Sequence, residues 1–242
     1  MSTAIRRATL LILGLLACSS SAWAQNRPNW QPPRNLADLK ETSVAGTVEG
    51  VQGNMINVKN ATGHPYIIAL VPASKLGVTG TAKSDYIKPG MMVSFNADVE
   101  VDSKKGTVSE PIKDMQIVTK SDTNVPTLYQ EDRDNKESTK YFVRGIVKSM
   151  KDGSLALSVG GKQITATVAP DAAIKFESTD LAGVRQGDEI AISGRLYKEY
   201  KSEGNNVQPG MVIGEKVDIK LAEQLSADSL KKKPAAKPKA SS

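Results

Sequence analysis

Short runs in which apolar and polar residues alternate fill the middle of this chain, and the whole series of runs occurs twice. Val44-x-Gly46-x-Val48-x-x-Val51 opens the first series and Val143-x-Gly145-x-Val147-x-x-Met150 opens the second. A period of two puts every apolar residue on one face of an extended strand, so each run reads as a half-buried β-strand. The first series predicts strands over 43–51, 55–59, 65–71, 91–101 and 107–118. The second predicts them over 141–150, 154–159, 163–168, 189–200 and 210–221. Ile56 and Val58 answer to Leu155 and Leu157, and Val93 and Phe95 to Ile190 and Ile192. Two copies of one five-stranded domain are therefore expected, at 43–119 and 141–221.

Glycine and its usual companions punctuate the runs. Gly53-Asn54, Thr62-Gly63, Asp152-Gly153 and Gly160-Gly161 are read as tight turns, and Lys104-Lys105-Gly106 as the close of a hairpin. Gly46 and Gly145 fall inside the first strand of each copy, where a glycine marks a bulge or sharp bend. Asp85-Tyr86-Ile87 is expected to form a helical turn before Lys88-Pro89-Gly90, and Asp180 to Gly187 is its counterpart. Further helical turns are expected over 35–41, capped by Asn35, and over 221–225. The stretch 120–140 is rich in Asp, Asn, Lys and Thr, with Pro126-Thr-Leu-Tyr129 as its apolar patch, and reads as a flexible linker or long loop.

Five strands, a turn or short helix between the third and fourth, and a glycine-bent first strand together resemble an OB-fold, with an SH3-like barrel as the alternative. The chain is similar to small exported bacterial domains of unknown function that read V-x-G-x-V, then I-x-V, then I-x-x-G-x-x-V. Here these are Val44 to Val48, Ile56 to Val58 and Ile87 to Val93. The resemblance implies an all-β chain of two tandem five-stranded barrels. It implies no activity, because the shared positions set strand geometry.

Outside the repeats the composition changes. Residues 1–24 have the parts of a secretory signal: Arg6 and Arg7, the apolar run from Ala8 to Ala17, and Ala22-Trp23-Ala24 as a cleavage site. Leu15-Leu16-Ala17-Cys18 offers a competing lipobox, in which Cys18 carries the lipid. Cys18 is the only cysteine, so cleavage after Ala24 removes all thiol chemistry. Residues 25–42 form a spacer with Pro28, Pro32 and Pro33, and residues 222–242 end in a tail rich in Lys, Pro and Ala that is expected to be disordered. These features predict export to a bacterial periplasm or beyond.

The formal net charge of +6 shrinks on inspection. Arg6 and Arg7 belong to the signal, while Lys231, Lys232, Lys233, Lys237 and Lys239 belong to the tail. Without those seven, 25 basic residues face 26 acidic ones. A neutral body argues against a nucleic-acid face on the domains, whereas the tail suits any anionic polymer or membrane surface.

Candidate chemistry is sparse. OB-folds that bind single strands stack bases on aromatic side chains near the second and third strands. Tyr66 is the aromatic available there in the first copy, beside Lys59 and His64, and the second copy has none between Ser154 and Val168. Tyr197 and Tyr200 with Lys198 form the densest aromatic and basic cluster. These six residues make up a candidate binding surface. Asp98, Glu100 and Asp102 alternate with Val99 and Val101, which reads as the wet face of a strand rather than a pair of catalytic acids. Glu131 to Asn135 lacks the spacing of a calcium loop. No cofactor or metal motif is present. The expectation is a non-catalytic exported binding or scaffolding module whose partner is a protein or glycan of the envelope. Single-stranded nucleic-acid binding and envelope hydrolysis are the alternatives.

Overall fold

The computed structural model describes residues 35–120, 124–132, 139–204 and 206–230. The expected signal, Cys18, the proline-rich spacer up to residue 34, most of the Glu131–Asn135 cluster and the lysines of the tail lie outside them. Within the first predicted domain run β1 (Glu41–Gln52), β2 (Met55–Asn60), β3 (Pro65–Ala82), β4 (Met92–Val101), β5 (Lys105–Val108) and β6 (Ile112–Val118). After them come β7 (Thr127–Gln130), β8 (Lys140–Lys151), β9 (Ser154–Val159), β10 (Lys162–Ser178), β11 (Glu189–Lys198), β12 (Lys201–Glu203), β13 (Asn206–Gln208) and β14 (Gly210–Lys220). Twelve of the fourteen strands belong to one sheet, and β12 pairs with β13 in a separate hairpin. The protein is all-β. Among the described residues no helix is long and apolar enough to cross a membrane.

The strands do not stay within their own repeat. β1 pairs with β2 and β2 with β3, but the circuit is completed by β14 alongside β3 and by β11 between β14 and β1. Conversely β8, β9 and β10 are completed by β5 and β6 alongside β10 and by β4 between these and β8. Each repeat thus gives its first three strands to one circuit and its later ones, β4, β5 and β6 or β11 and β14, to the other. The expected boundaries, 43–119 and 141–221, do not enclose self-contained sets of pairings. Alternation specifies which face of a strand is buried and is silent on which copy provides its neighbour. Here Ile190 and Ile192, not Val93 and Phe95, stand beside Gly46 and Val44.

β3 and β10 are longer than the alternation predicts. Both pass a proline, Pro72 or Pro170, at a shift of register, where the missing N–H is tolerated. Beyond it they meet each other antiparallel, from Val78 opposite Ser178 to Ala82 opposite Ile174. Thr79 and Glu177, each seven residues past its proline, are direct partners, so this ladder relates the halves by an approximate two-fold.

The duplicated glycine turns lock the exchange. Gly90 donates its N–H to Val147 O at 2.9 Å, and Val147 returns one to Met91 O at 2.8 Å. In the other half Gly187 donates to Val48 O at 2.8 Å and Val48 to Asp188 O at 2.8 Å. Gly90 at φ 92° and Gly187 at φ 96° occupy backbone that side chains rarely adopt. Ile56, Ile68, Leu155, Leu157, Ile164 and Ile213 are fully buried inside the circuits. Each stabilises the fold by roughly 1.5–3 kcal/mol relative to exposure.

Other expectations need correction. The bulge in β1 lies between Val48 and Gly50, and in β8 between Val147 and Ser149, beyond the glycines expected to cause them. Gly46 instead allows close approach: a Cβ there would sit 2.1 Å from Lys59 O of β2. Gly106 lies in β5, so its hairpin turns on Asp102 to Lys104. The expected linker is partly structured, because Thr127–Gln130 forms β7 against β8 with Leu128 opposite Val143. No helix forms over 35–41 or 221–225. Asn35 instead bonds Asp38 in a turn, Leu225 bridges Ala82, and a short 3-10 turn follows at Ala227–Leu230. The turn expected near Asp85 is the 3-10 turn Ser84–Tyr86.

Candidate functional site

Five of the six candidate surface residues are placed by two connections at one end of the first circuit. Asn60 builds the β2–β3 turn: its Oδ1 accepts the Thr62 hydroxyl at 2.8 Å and the backbone N–H of Thr62 and His64 at 3.1 and 2.8 Å. That turn holds His64 outward, with the exposed Lys59 alongside. The second connection joins β11 to β14 and carries the β12–β13 hairpin. Tyr200 lies at its base, and its ring stacks on His64 with centroids 4.2 Å apart and planes 12° from parallel. Tyr66 pairs with Gly210, where an added Cβ would fall 2.5 Å from the Tyr66 ring, so the phenol lies flat over the glycine. Lys198 is exposed at the end of β11, opposite Met211.

Residues 64 and 200 become neighbours only because the two halves exchange strands. Tyr197, the sixth, falls at the shift of register between Leu196 and Lys198 and is 44% exposed. The result is an aromatic rim edged with lysines, beside a hairpin whose Val207 is 48% exposed. Stacked rings contribute about 0.5–1.5 kcal/mol beyond their buried area and leave an outer edge for a partner. His64 is engaged through its face by the Tyr200 phenol. Among the described residues no group of three His, Cys, Asp or Glu side chains is placed to hold a metal.

Asp98 and Glu100 lie on the exposed face of β4, and Asp102 begins the turn after it. Asp98 accepts a 2.7 Å bond from the Thr139 hydroxyl, and Asp102 caps its own turn through Ser103 N at 2.5 Å. At the corresponding end of the second circuit the β4–β5 turn is tight, and Lys162 closes it by donating to Asp102 O and Ser103 O at 3.0 and 2.8 Å. No aromatic rim forms there.

Sequence reasoning missed two cavities. One, of about 600 Å³, lies between Val51, the 182–188 turn and Leu221. Two of its charged members are committed to the fold: Asp188 accepts N–H groups from Arg185 and Ala222 at 2.7 and 2.9 Å, and Arg185 donates to Ser229 O at 2.6 Å. The other is an outer groove of about 580 Å³ across β8, β4, β6 and β10. Phe142 lines it, stacked on Tyr129 of β7 at 5.1 Å and covered by Arg144, whose guanidinium carbon lies 5.1 Å from the ring centroid. Arg144 Nε is buried without a hydrogen-bond partner. The apolar patch at 126–129 was the available signal, but assigning it to a linker hid it. Compared with known protein families, curated proteins and solved structures, the chain matches none.

Proposed function

We propose that this protein is an exported, non-catalytic binding or scaffolding module of the bacterial envelope, built on two OB-like barrels and recognising its partner through the His64–Tyr200 rim. The observation that carries the reading is that stack: two segments far apart in sequence converge on an exposed aromatic and basic edge. The OB-like assignment draws support from the parallel pairing of β3 with β14 and of β10 with β6, which a five-stranded Greek-key barrel uses to close. The signal-like residues 1–24 support export. Lys231, Lys232, Lys233, Lys237 and Lys239 support a loose, salt-sensitive hold on anionic envelope polymers. Nucleic-acid binding is the weaker reading, since the body is neutral and Tyr66 has its ring committed to Gly210.

The test is capture from envelope extract on the mature chain, on its Tyr200→Ala variant and on a chain ending at residue 230. A defined protein or glycan held by the mature and shortened chains and lost with Tyr200→Ala establishes the rim as the recognition element. Retention that needs the tail and vanishes with salt removes the rim from the function.

A further inference from the structure

The groove on the second circuit is built by an interruption in the wall. β4 pairs with β6 from Met92 to Ser94 and with β5 from Val99 to Val101. Between them Phe95 to Ala97 face the longer stretch 110–115, which swings away to follow β10, and Ser109 N closes the gap on Asp98 O at 3.0 Å. The matching wall of the first circuit, β11 with β14, has shifts of register only at Ser193/Gly194 and Leu196/Lys198. An exposed strand edge with its ladder interrupted is a place where an extended peptide adds its own backbone.

The ends of this gap carry opposite charge. At one end Arg144, Ser94, Gln116 and Lys175 follow one another across four strands as successive register partners. At the other stand Asp98 and Glu110, whose neighbour Ser109 donates its N–H to Asp98 O at 3.0 Å, while Asp114 lies between the two ends, two residues from Gln116 and opposite Ala173. Arg144, Lys175, Glu110 and Asp114 have no ion-pair partner among the described residues. A guanidinium with a buried, unpartnered Nε loses hydration without a replacement, so an arriving carboxylate that draws it off the Phe142 face recovers a charge-assisted, two-point bond. Ser94 and Asp98 are four residues apart on β4, roughly 13 Å at about 3.3 Å per residue. An extended peptide of three or four residues spans about 10–14 Å.

We infer that this groove binds a short peptide with free termini, its carboxylate at Arg144 and its ammonium toward Asp98 and Glu110. The backbone lies along Phe95 to Ala97, and small side chains rest against Phe142 and Pro111. The site is separate from the rim and goes beyond the reading given above.

The experiment is a titration of the mature chain with trialanine, followed by backbone amide NMR, alongside N-acetyl-trialanine, trialanine amide and the doubly capped peptide. Trialanine is expected to saturate with Kd about 0.1–1 mM, shifting Asn96, Ala97 and residues 112–115. Blocking either terminus is expected to weaken it about ten-fold, and Arg144→Met to remove the dependence on the free carboxylate. Glu110→Gln, an exposed change that leaves folding intact, is expected to weaken trialanine while leaving N-acetyl-trialanine unchanged. Equal binding of the doubly capped peptide overturns the inference. So does the absence of saturation by about 10 mM, shifts confined to His64 and Tyr200, or unchanged affinity in a folded Arg144→Met.

Discussion

The two circuits share their buried positions and differ in one wall and at their ends. Val48, Ile56, Val58 and Ile190 are buried in one as Val147, Leu155, Leu157 and Val93 are in the other, and both contain strands from both repeats. Their β4–β5-type connections differ most. In the first circuit it is the long 199–209 excursion with Tyr200 and a hairpin, and in the second the short turn latched by Lys162. Duplication kept what packs and released what faces water. Among the described residues the rim and the groove each occur once, which is the expected result when a repeat supplies a scaffold and its connections and bulges supply recognition.

The exchange itself is the first thing to break. Ser43 and Ser193 are exposed partners across β1 and β11. In a chain carrying Ser43→Cys and Ser193→Cys, with Cys18 removed alongside the signal, oxidation is expected to join them within one chain nearly completely. Ser43→Cys with Asn96→Cys, the pair that repeats closed on themselves would bring together, is expected to stay reduced. Non-reducing mass spectrometry after proteolysis reads both, and the opposite result returns the molecule to tandem domains.

The duplicated glycines sharpen the comparison next. A Cβ on Gly46 meets the Lys59 carbonyl oxygen at 2.1 Å, whereas on Gly145 the closest atom is a Val159 methyl at 2.6 Å. Backbone in a paired strand cannot move aside without breaking its ladder, while side chains partly repack. Gly46→Ala is expected to cost about 3 kcal/mol or more and Gly145→Ala about 1–2 kcal/mol, measured by urea unfolding.

A smaller difference sits in the paired turns. Arg185 N donates to the Asp188 carboxylate at 2.7 Å, and in the same place Lys88 N meets the Met91 sulfur at 3.4 Å. Asp188 also holds Ala222 N, so Asp188→Ala strands two N–H groups and is expected to cost about 2–4 kcal/mol. Met91→Ala loses packing and a weak acceptor, about 1 kcal/mol.

Nine of the ten expected strands were legible because burial follows alternation, and alternation is local, whereas the one expected over 107–118 is broken into β5 and β6 around Pro111. β7 was not legible, since Thr127–Gln130 pairs through its backbone and offers too few residues for a period. Nor were the far halves of β3 and β10, because Pro72 and Pro170 announce an end where the strands bulge and continue. The exchange was invisible for a different reason: interchangeable apolar faces, such as Ile190 and Val93, carry no label for their partner. Of the candidate residues, His64 and Tyr200 were found singly by type, and their contact could not be read without the exchange. Arg144 gave no signal, because an arginine on the polar face of a strand is ordinary until its neighbours are known.

The most delicate difference lies in the turns between the third and fourth strands. The 3-10 turn Ser84–Tyr86 buries a phenol edge-on to Phe176 of the other repeat, with centroids 5.9 Å apart, while its counterpart around Gly183 presents no ring to that side chain. Burial raises the Tyr86 pKa, the Asp180 charge raises it further, and Arg185 opposes them. The folded state therefore prefers the neutral phenol. Its contribution is fully present below the unfolded value of about 10 and is lost as pH rises from there through the raised folded value. Tyr86→Phe keeps the ring against Phe176 and removes the titration. Its stability at neutral pH is expected to stay close to that of the parent, with a shallower fall in urea midpoint between about pH 9 and about pH 11. Parallel declines in the two proteins would place the alkaline sensitivity elsewhere and leave the ring packing of Tyr86 as its whole contribution to the junction between the halves.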